Sequence, residues 1–336
     1  MLRDVRTVDW VDGAIRAIDQ TLLPATERWL TLSTVDAVVD AIRRLAIRGA
    51  PALGVAGAMG VALAARTGAS EDDVRKLELA RPTAVNLARG VRRAAAALPD
   101  PDAVLAVALA IRDEEMASSE AMSRLGADLV TSLCGPSPRV LTHCNTGGLC
   151  TVVGGTALGV IAELHRRGAL GGVVASETRP LLQGARLTTW ELGRLGIAHR
   201  VAVDGAGPFL MARGEVDAVI IGSDRICANL DVVNKVGSYA HALGARAAGI
   251  PFVVVAPEST VDMSTPDGAS VHIEDRDPDE VLGYAGTRVA ADGAGAVNPA
   301  FDVTPHHLVT AIVTESRVLR PAEAERGPDR ASRSRS

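Results

Sequence analysis

Aromatic side chains are almost absent: three Trp, two Tyr and three Phe make up 2% of 336 residues. The core must therefore be built from Ala, Val, Leu and Ile, which pack helices closely on a sheet. Lysine is nearly missing too, with only Lys76 and Lys235, while arginine supplies the remaining basic groups. Each surviving lysine is a compact point charge suited to phosphate or proton chemistry. Four cysteines (Cys134, Cys144, Cys150, Cys227) form no CxxC pair and no zinc spacing with histidine, which argues against a metal site or a disulfide framework. A formal net charge of −5 gives no electrostatic case for binding nucleic acid. No apolar run has the roughly 18 residues of a membrane span, so no membrane insertion is expected. The opening MLRDVRTVDWVDG carries acids and no apolar signal core, so a cytoplasmic location is expected. The GxGxxG dinucleotide fingerprint is also missing.

What is present divides the chain. Residues 33–47 begin with a Ser/Thr cap signal and repeat apolar residues at helical spacing. Pro51–Ala65 is small and apolar nearly all round, as in a helix buried on most faces. Residues 71–96 and 101–128 continue the helical period, and a small β element is expected at Arg6–Ala17. Residues 1–118 thus read as a mainly helical N-terminal domain. From Pro138 short β-branched runs alternate with helices. Strands are expected at 139–143, 172–176, 199–204, 217–223 and 251–257. Helices are expected at 151–167, 183–195 and 234–248, with a final helix and strand-like tail at 306–315. Continuous apolar strands between helices imply a parallel sheet covered on both faces. The fold class is therefore α/β, with a Rossmann-like, doubly wound parallel-sheet C-terminal domain over 119–318. Residues 319–336, rich in charge, Ser and Arg, are expected to be a disordered tail.

In an open parallel sheet, ligands bind beyond the carboxyl ends of the strands. Reactive groups collect there: Cys144 after the first strand, Glu177 and Arg179 then Gln183 after the second, Asp224, Asn234 and Lys235 after the fourth. Cys144 reads either as a thiol activated beside a helix N-terminus or as a buried core cysteine. Asp224 reads as a proton carrier, or as a helix cap or ion-pair partner of Arg225. The Gly-rich loop 146–155 reads as a tight turn or as a phosphate cradle. Arg48 and Arg81, each ahead of a helix, read as forked hydrogen-bond donors to phosphate oxygens or as ordinary surface charges.

Seven segments together resemble the methylthioribose-1-phosphate isomerase family of methionine salvage. They are IDQTLLP (18–24), IRGAPALGVAGAMGVALA (47–64), RPTAVNL (81–87), LTHCNTGGLCTVVGGTALGVI (141–161), SETRPLLQGARLTTWEL (176–192), GSDRICANLDVVNKVGSYAHALGARAAGIPFVVVAP (222–257) and NPAFDVTP (298–305). The resemblance spans about residues 6–318. It implies Cys144 and Asp224 as the catalytic pair, with Asp224 the proton donor. It implies substrate contacts at Arg48, Gly49, Ala50, Arg81, Gln183, Asn234 and Lys235. The implied reaction is an internal redox isomerisation of an aldose 1-phosphate to the ketose, which needs no cofactor and no metal. A homodimer joined through the C-terminal domain is implied as well. The chain departs from the family pattern at Ser176, where aspartate is usual, and at Leu230, where glycine is usual. Both departures bear on the pocket, so substrate identity is less constrained than reaction class. The alternatives are an isomerase of 5-deoxyribose 1-phosphate or ribose 1,5-bisphosphate, or a non-catalytic regulatory protein of the translation-factor type.

Overall fold

The computed structural model describes residues 5–68, 70–82, 84–284 and 286–321. A three-stranded antiparallel sheet comes first: β1 (Val8–Val11), β2 (Ala14–Ile18) and β3 (Trp29–Leu32). Asp12 and Gly13 join β1 to β2 with φ of 50° and 82°, the left-handed pair that a two-residue hairpin needs. Helices follow: α1 (Val35–Arg43), α2 (Ala50–Arg66), α3 (Glu71–Glu78), α4 (Val85–Ala95) and α5 (Pro101–Cys134). The Thr34 hydroxyl accepts the Ala37 N–H and caps α1. Helix α2 is buried from Ala50 through Ala65. Its small residues let neighbouring backbones approach closely: a Cβ on Gly90 of α4 would stand 2.2 Å from the Gly54 carbonyl oxygen.

The continuous helical stretch expected over 71–96 breaks at 79–84, where Pro82 disfavours helical backbone at Arg81. Helix α5 runs on to Cys134, so position 118 falls inside it. Val104, Ala108 and Ile111 of this helix join the N-terminal core. Met122, Ala127, Leu129 and Val130 join the core under the large sheet.

The rest of the chain contains β4 (Arg139–Thr142), α6 (Ala157–Arg166), β5 (Gly172–Ser176), α7 (Thr189–Arg194), β6 (His199–Ala202), α8 (Ala206–Ala212) and β7 (Ala218–Ile221). Then come β8 (Arg225–Cys227), β9 (Val232–Lys235), α9 (Ser238–Ala248), β10 (Phe252–Val255), β11 (Val261–Asp262) and α10 (Asp279–Leu282). A small hairpin, β12 (Gly283–Tyr284) and β13 (Thr287–Arg288), precedes β14 (Phe301–Thr304), β15 (Ala311–Val313) and β16 (Val318–Leu319). The large sheet has the order β16-β15-β10-β7-β4-β5-β6. All its pairings are parallel except that of edge strand β16. Residues of α5, α6 and α7 pack one face, and residues of α8 and α9 the other. This is a doubly wound α/β domain. After β4 the chain lays β5 and β6 on one side and β7, β10 and β15 on the other. The strand order therefore reverses between β4 and β7, and the crevice at their carboxyl ends is where such a sheet binds ligands.

Three expected helices are corrected. The helix expected from Thr151 starts only at Ala157, because Gly154 and Gly155 take φ of 75° and 103°, which no helix contains. Asn234 and Lys235 lie on strand β9, not in a helix; β9 pairs with β8 and β14, and α9 starts after Gly237 at φ 108°. The helix expected at 306–315 is a 3-10 turn (His306–Leu308) followed by β15, as its β-branched AIVT favours. A second sheet, β11-β8-β9-β14, has no counterpart among the expected elements. The disordered tail expected from residue 319 is corrected at its start, where Leu319 of β16 pairs with Ile312; its residues from 322 onward lie outside the described residues.

Candidate active site

Cys144 follows β4 and Asp224 follows β7, so the two residues flank the point where strand order reverses. The loops that carry them touch: a Cβ on Gly222 would lie 2.8 Å from Thr146 Cγ2. Cys144 is buried and takes a left-handed backbone, φ 63°. For a non-glycine residue that conformation is strained and must be held from outside. Here the Cys144 N–H donates to Thr178 Oγ1 (2.9 Å), and its carbonyl accepts from Thr188 Oγ1 (2.7 Å). Cys144 is thus aimed by two threonines from the next strand-to-helix connection.

Arg48 comes from the turn before α2 and is buried. Its Nη1 lies 3.9 Å from Cys144 Sγ, its Nε donates to Gln20 Oε1 (3.1 Å), and its Nη2 donates to the side-chain and backbone oxygens of Asn145. Gly49 has φ 93°, and a Cβ there would lie 2.5 Å from Cys150 Cβ. Only glycine lets Arg48 come this close to the loop after β4.

Asp224, Arg81, Ala50, Leu53 and Phe301 line a cavity of about 330 Å³ between the helical region and the sheet. Burial pushes the Asp224 carboxyl upward, opposed by the charges of Lys235, Arg81 and Arg48. Burial pushes Lys235 downward, opposed by Cys144 and Asp224. Burial likewise lowers Arg81 against the charges of Asp224 and Glu274. Lys235 is buried, donates to the Ala300 carbonyl (2.6 Å) and lies 4.9 Å from the centre of the Phe301 ring. Asn234 beside it donates to Ser238 Oγ (2.8 Å). Arg225 pairs with Asp262 (3.1 Å), so the ion pair considered for Asp224 goes elsewhere. Lys76, the other lysine, is an exposed partner of Asp36 and Asp72.

Gln183 is buried, and its Oε1 has no hydrogen-bond partner among the described residues. The next residue, Gly184, packs on the Ser176 carbonyl and Thr178 Oγ1, the group that holds Cys144. One expectation is corrected. Two amides of the Gly-rich loop do not stand open for a phosphate. Those of Gly148 and Leu149 face the buried carboxylate of Glu191, which accepts from Asn145 Nδ2 (2.7 Å). Gln20, Thr178, Thr188 and Glu191 therefore act at the site, although the sequence does not single them out. Their motifs are visible there, but no local spacing assigns them a task.

Among the described residues no group of three or more His, Cys, Asp or Glu could hold a metal ion. No described helix is long and apolar enough to cross a membrane.

The family model described as "Initiation factor 2 subunit family" matches residues 46–321. A methylthioribose-1-phosphate isomerase of Anaeromyxobacter sp. (strain K) is 54% identical over 315 residues, covering 92% of each chain. The chain belongs to the initiation factor 2 subunit family, in its methylthioribose-1-phosphate isomerase branch. A relative in Nocardia farcinica (strain IFM 10152) is 50% identical over 94% of this chain. It bears the name of a probable bifunctional methylthioribose-1-phosphate isomerase/methylthioribulose-1-phosphate dehydratase, and the chain spans 59% of its length. The solved 5-methylthioribose 1-phosphate isomerase of Pyrococcus horikoshii OT3 matches with TM-score 0.87 and 39% identity, covering 94% of this chain and 93% of that one. A structure titled translation initiation factor eIF-2B, subunit delta, from A. fulgidus matches with TM-score 0.83 and 38% identity, covering 96% and 98%. The family thus holds members named as enzymes and members named as translation factors on one fold.

Proposed function

We propose that the protein converts 5-methylthioribose 1-phosphate to 5-methylthioribulose 1-phosphate in methionine salvage. The observation that most supports this is the charge pattern at the switch point. A buried carboxylate, Asp224, and a strained thiol, Cys144, share one site with Arg48, Arg81 and Lys235. The relatives' names supply the substrate.

A phosphate on the anomeric oxygen blocks simple hemiacetal opening. The reaction must break the bond between C1 and the ring oxygen, protonate that oxygen, take C2 to a carbonyl and return hydrogen to C1. Atoms and electrons balance within the sugar, so no external oxidant is consumed. Asp224, its carboxyl pushed upward by burial, gives the ring oxygen its proton. Cys144 acts at C1 and C2, and Arg48 steadies the charge that develops there. Arg81 and Lys235 hold the phosphate, with Gly49 and Ala50 admitting it closely and Gln183 and Asn234 taking the sugar hydroxyls. We assign the helical domain to residues 1–118 and the catalytic domain to 119–318, with α5 shared as a strut. We further propose a cytoplasmic homodimer. Exposed Val201, Val203, Phe209, Tyr239 and Leu243 on the C-terminal domain offer apolar surface for it.

The test is turnover of purified protein on 5-methylthioribose 1-phosphate beside 5-deoxyribose 1-phosphate, with ketose formation followed by NMR. A preference for the thio-sugar is expected. Inertness toward both would refute the assignment and favour the regulatory reading that the A. fulgidus match keeps in view.

A further inference from the structure

Five buried groups close a ring of polar contacts beside Cys144, four of its links being hydrogen bonds. Arg48 Nε donates to Gln20 Oε1 (3.1 Å), and Gln20 Nε2 donates to the Leu149 carbonyl (2.6 Å). The Leu149 amide faces the Glu191 carboxylate and favours its ionised form. Asn145 Nδ2 donates to Glu191 Oε1 (2.7 Å), and Asn145 Oδ1 accepts from Arg48 Nη2, which returns the ring to its start. Gln20 and Arg48 belong to the N-terminal part of the chain, and the other three groups come from the sheet domain. The ring leaves Arg48 with one guanidinium nitrogen, Nη1, facing Cys144 Sγ.

We propose that Glu191 and Gln20 are positioning residues that hold Arg48 against Cys144 by closing this ring. The inference rests on the reading of Cys144 and Arg48 as catalytic groups.

The two carboxylate oxygens of Glu191 serve three N–H groups: Asn145 Nδ2 and the amides of Gly148 and Leu149. The cradle is tight, since a Cβ on Gly147 would lie 2.3 Å from Glu191 Oε1. A carboxylate accepts at both oxygens, whereas a carboxamide accepts at only one. With glutamine at position 191, one of these donors meets an NH₂ group. The side chain that can respond is the Asn145 amide, at the cost of its bond to Thr188 Oγ1 (3.3 Å), because the other two donors are backbone. Turning it over gives the new carboxamide an acceptor but presents an NH₂ to Arg48, donor against donor. Arg48 then keeps only the Asn145 backbone carbonyl on that side (3.1 Å), faces a repelling NH₂, and shifts away from the thiol. Buried networks of this kind depend on every member being satisfied.

Titration has the same consequence. Burial pushes the Glu191 carboxyl up to about 7, against its hydrogen bonds and the charge of Arg48. Protonation converts an acceptor into a donor, so the ring is complete above that pH and broken below it. The ionisable groups facing Glu191 on the inner side are Arg48 and Cys150. On the outer side Glu191 shares a cavity of about 740 Å³ between α5 and α6 with Glu120, Arg124, Glu163 and Arg166. Those four are already paired, Arg124 with Glu120 and Arg166 with Glu163.

The experiment reads Cys144 directly and needs no substrate. Intact protein is treated with iodoacetamide, and alkylation of the Cys144 peptide is timed by mass spectrometry in wild type, Glu191→Gln, Gln20→Met and the double variant Asn145→Asp/Glu191→Gln. A neighbouring cation favours the reactive thiolate, so Glu191→Gln and Gln20→Met should each slow alkylation about tenfold at an unchanged melting temperature. The double variant restores a carboxylate between the carboxamide at position 191 and Arg48, and should recover the rate to within about threefold of wild type. A folded Glu191→Gln alkylated at the wild-type rate overturns the proposal, as does a double variant no faster than the single one. If Glu191→Gln does not fold, a wild-type rate in Gln20→Met overturns it. Turnover is measured in parallel. A wild-type enzyme inert on the sugar phosphate would refute the proposed function and leave the thiol comparison standing as the test of the ring.

Discussion

Replacing Asp224 by Asn removes one negative charge from a cavity whose other charges are cationic. Two effects of opposite sign should follow. Loss of the proton donor removes general acid catalysis, worth about 10²- to 10⁴-fold in rate, or about 3–5 kcal/mol of barrier. Loss of the negative charge strengthens anion binding. A sphere of the cavity's volume, about 330 Å³, is roughly 9 Å across, so a bound phosphate lies within about that distance of the carboxylate. At an effective dielectric of about 20 the repulsion removed is about 2 kcal/mol per unit of phosphate charge, so roughly twentyfold or more in affinity. The variant should therefore bind the ketose 1-phosphate product more tightly while turning substrate over far more slowly. The affinity gain has a pH signature. It exists only where wild-type Asp224 is ionised, and burial has raised that threshold above the ordinary carboxylate range. Below the threshold the two proteins should bind alike. Calorimetric titration of product across pH measures this, beside kcat from NMR. A kcat within about threefold of wild type would refute the acid role. Weaker product binding at every pH would refute the charge argument and make Asp224 an anchor for substrate instead.

Other perturbations follow from the same geometry. Lys235→Arg should lower kcat/KM at least about a hundredfold, because the longer guanidinium cannot occupy a buried site built for a point charge, whereas exposed Lys76→Arg should leave activity unchanged; steady-state kinetics of the pair checks this. Gly90→Ala drives a methyl group into the Gly54 carbonyl, and the cost of overpacking, about 1–3 kcal/mol, should exceed the helix-propensity gain of about 1 kcal/mol, lowering the urea midpoint. Glu115 has its carboxyl pushed up to about 7 by burial, then by Glu315 and Glu114. Its folded value lies above its unfolded one, so its stabilising contribution is full below about pH 4.5 and lost as pH rises through 7. Glu115→Gln should thus stabilise the protein near pH 8 by no more than about 3 kcal/mol and lose that advantage by about pH 5, as melting curves across pH would record.

The parts of this molecule legible in sequence are those with a local cause. Helix α2 announces itself through an unbroken run of Ala, Gly, Val, Leu and Met, and β7 and β10 through apolar runs buried on both faces. The density of polar residues after β4 and β7 marks the site edge for the same reason. Asn234 and Lys235 read as helical from sequence because helical residues follow them directly. Their strand is decided by pairing with β14, some 67 residues further along. The ring around Arg48 is less visible still. Its hydrogen bonds join Gln20 to Arg48, 28 positions apart, and Gln20 to Leu149, 129 positions apart. No periodicity records such a contact. The Gly-rich loop is the instructive case. Its composition suits an anion, and it does hold one, but the anion is the protein's own Glu191.

The two departures from the family pattern can be weighed on the same terms. Leu230 sits in the turn between β8 and β9 with φ 70°, the left-handed region where glycine costs nothing. It packs against the core on the α8 and α9 side and is not among the residues lining the cavity with Asp224. Its cost is local backbone strain. Ser176 is buried at the end of β5, and its hydroxyl donates to Asp204 Oδ1 (2.5 Å). Asp204 also accepts the N–H groups of Thr178 (2.8 Å) and Arg179 (2.7 Å). Thr178 in turn receives the Cys144 N–H. A serine donor therefore satisfies the carboxylate that shapes this turn, where an ionised aspartate would repel it. Both substitutions leave the strained cysteine held and the three cations in place. Their consequences belong to stability and to the aim of Cys144, and neither supplies the second cationic cluster that a bisphosphate would require.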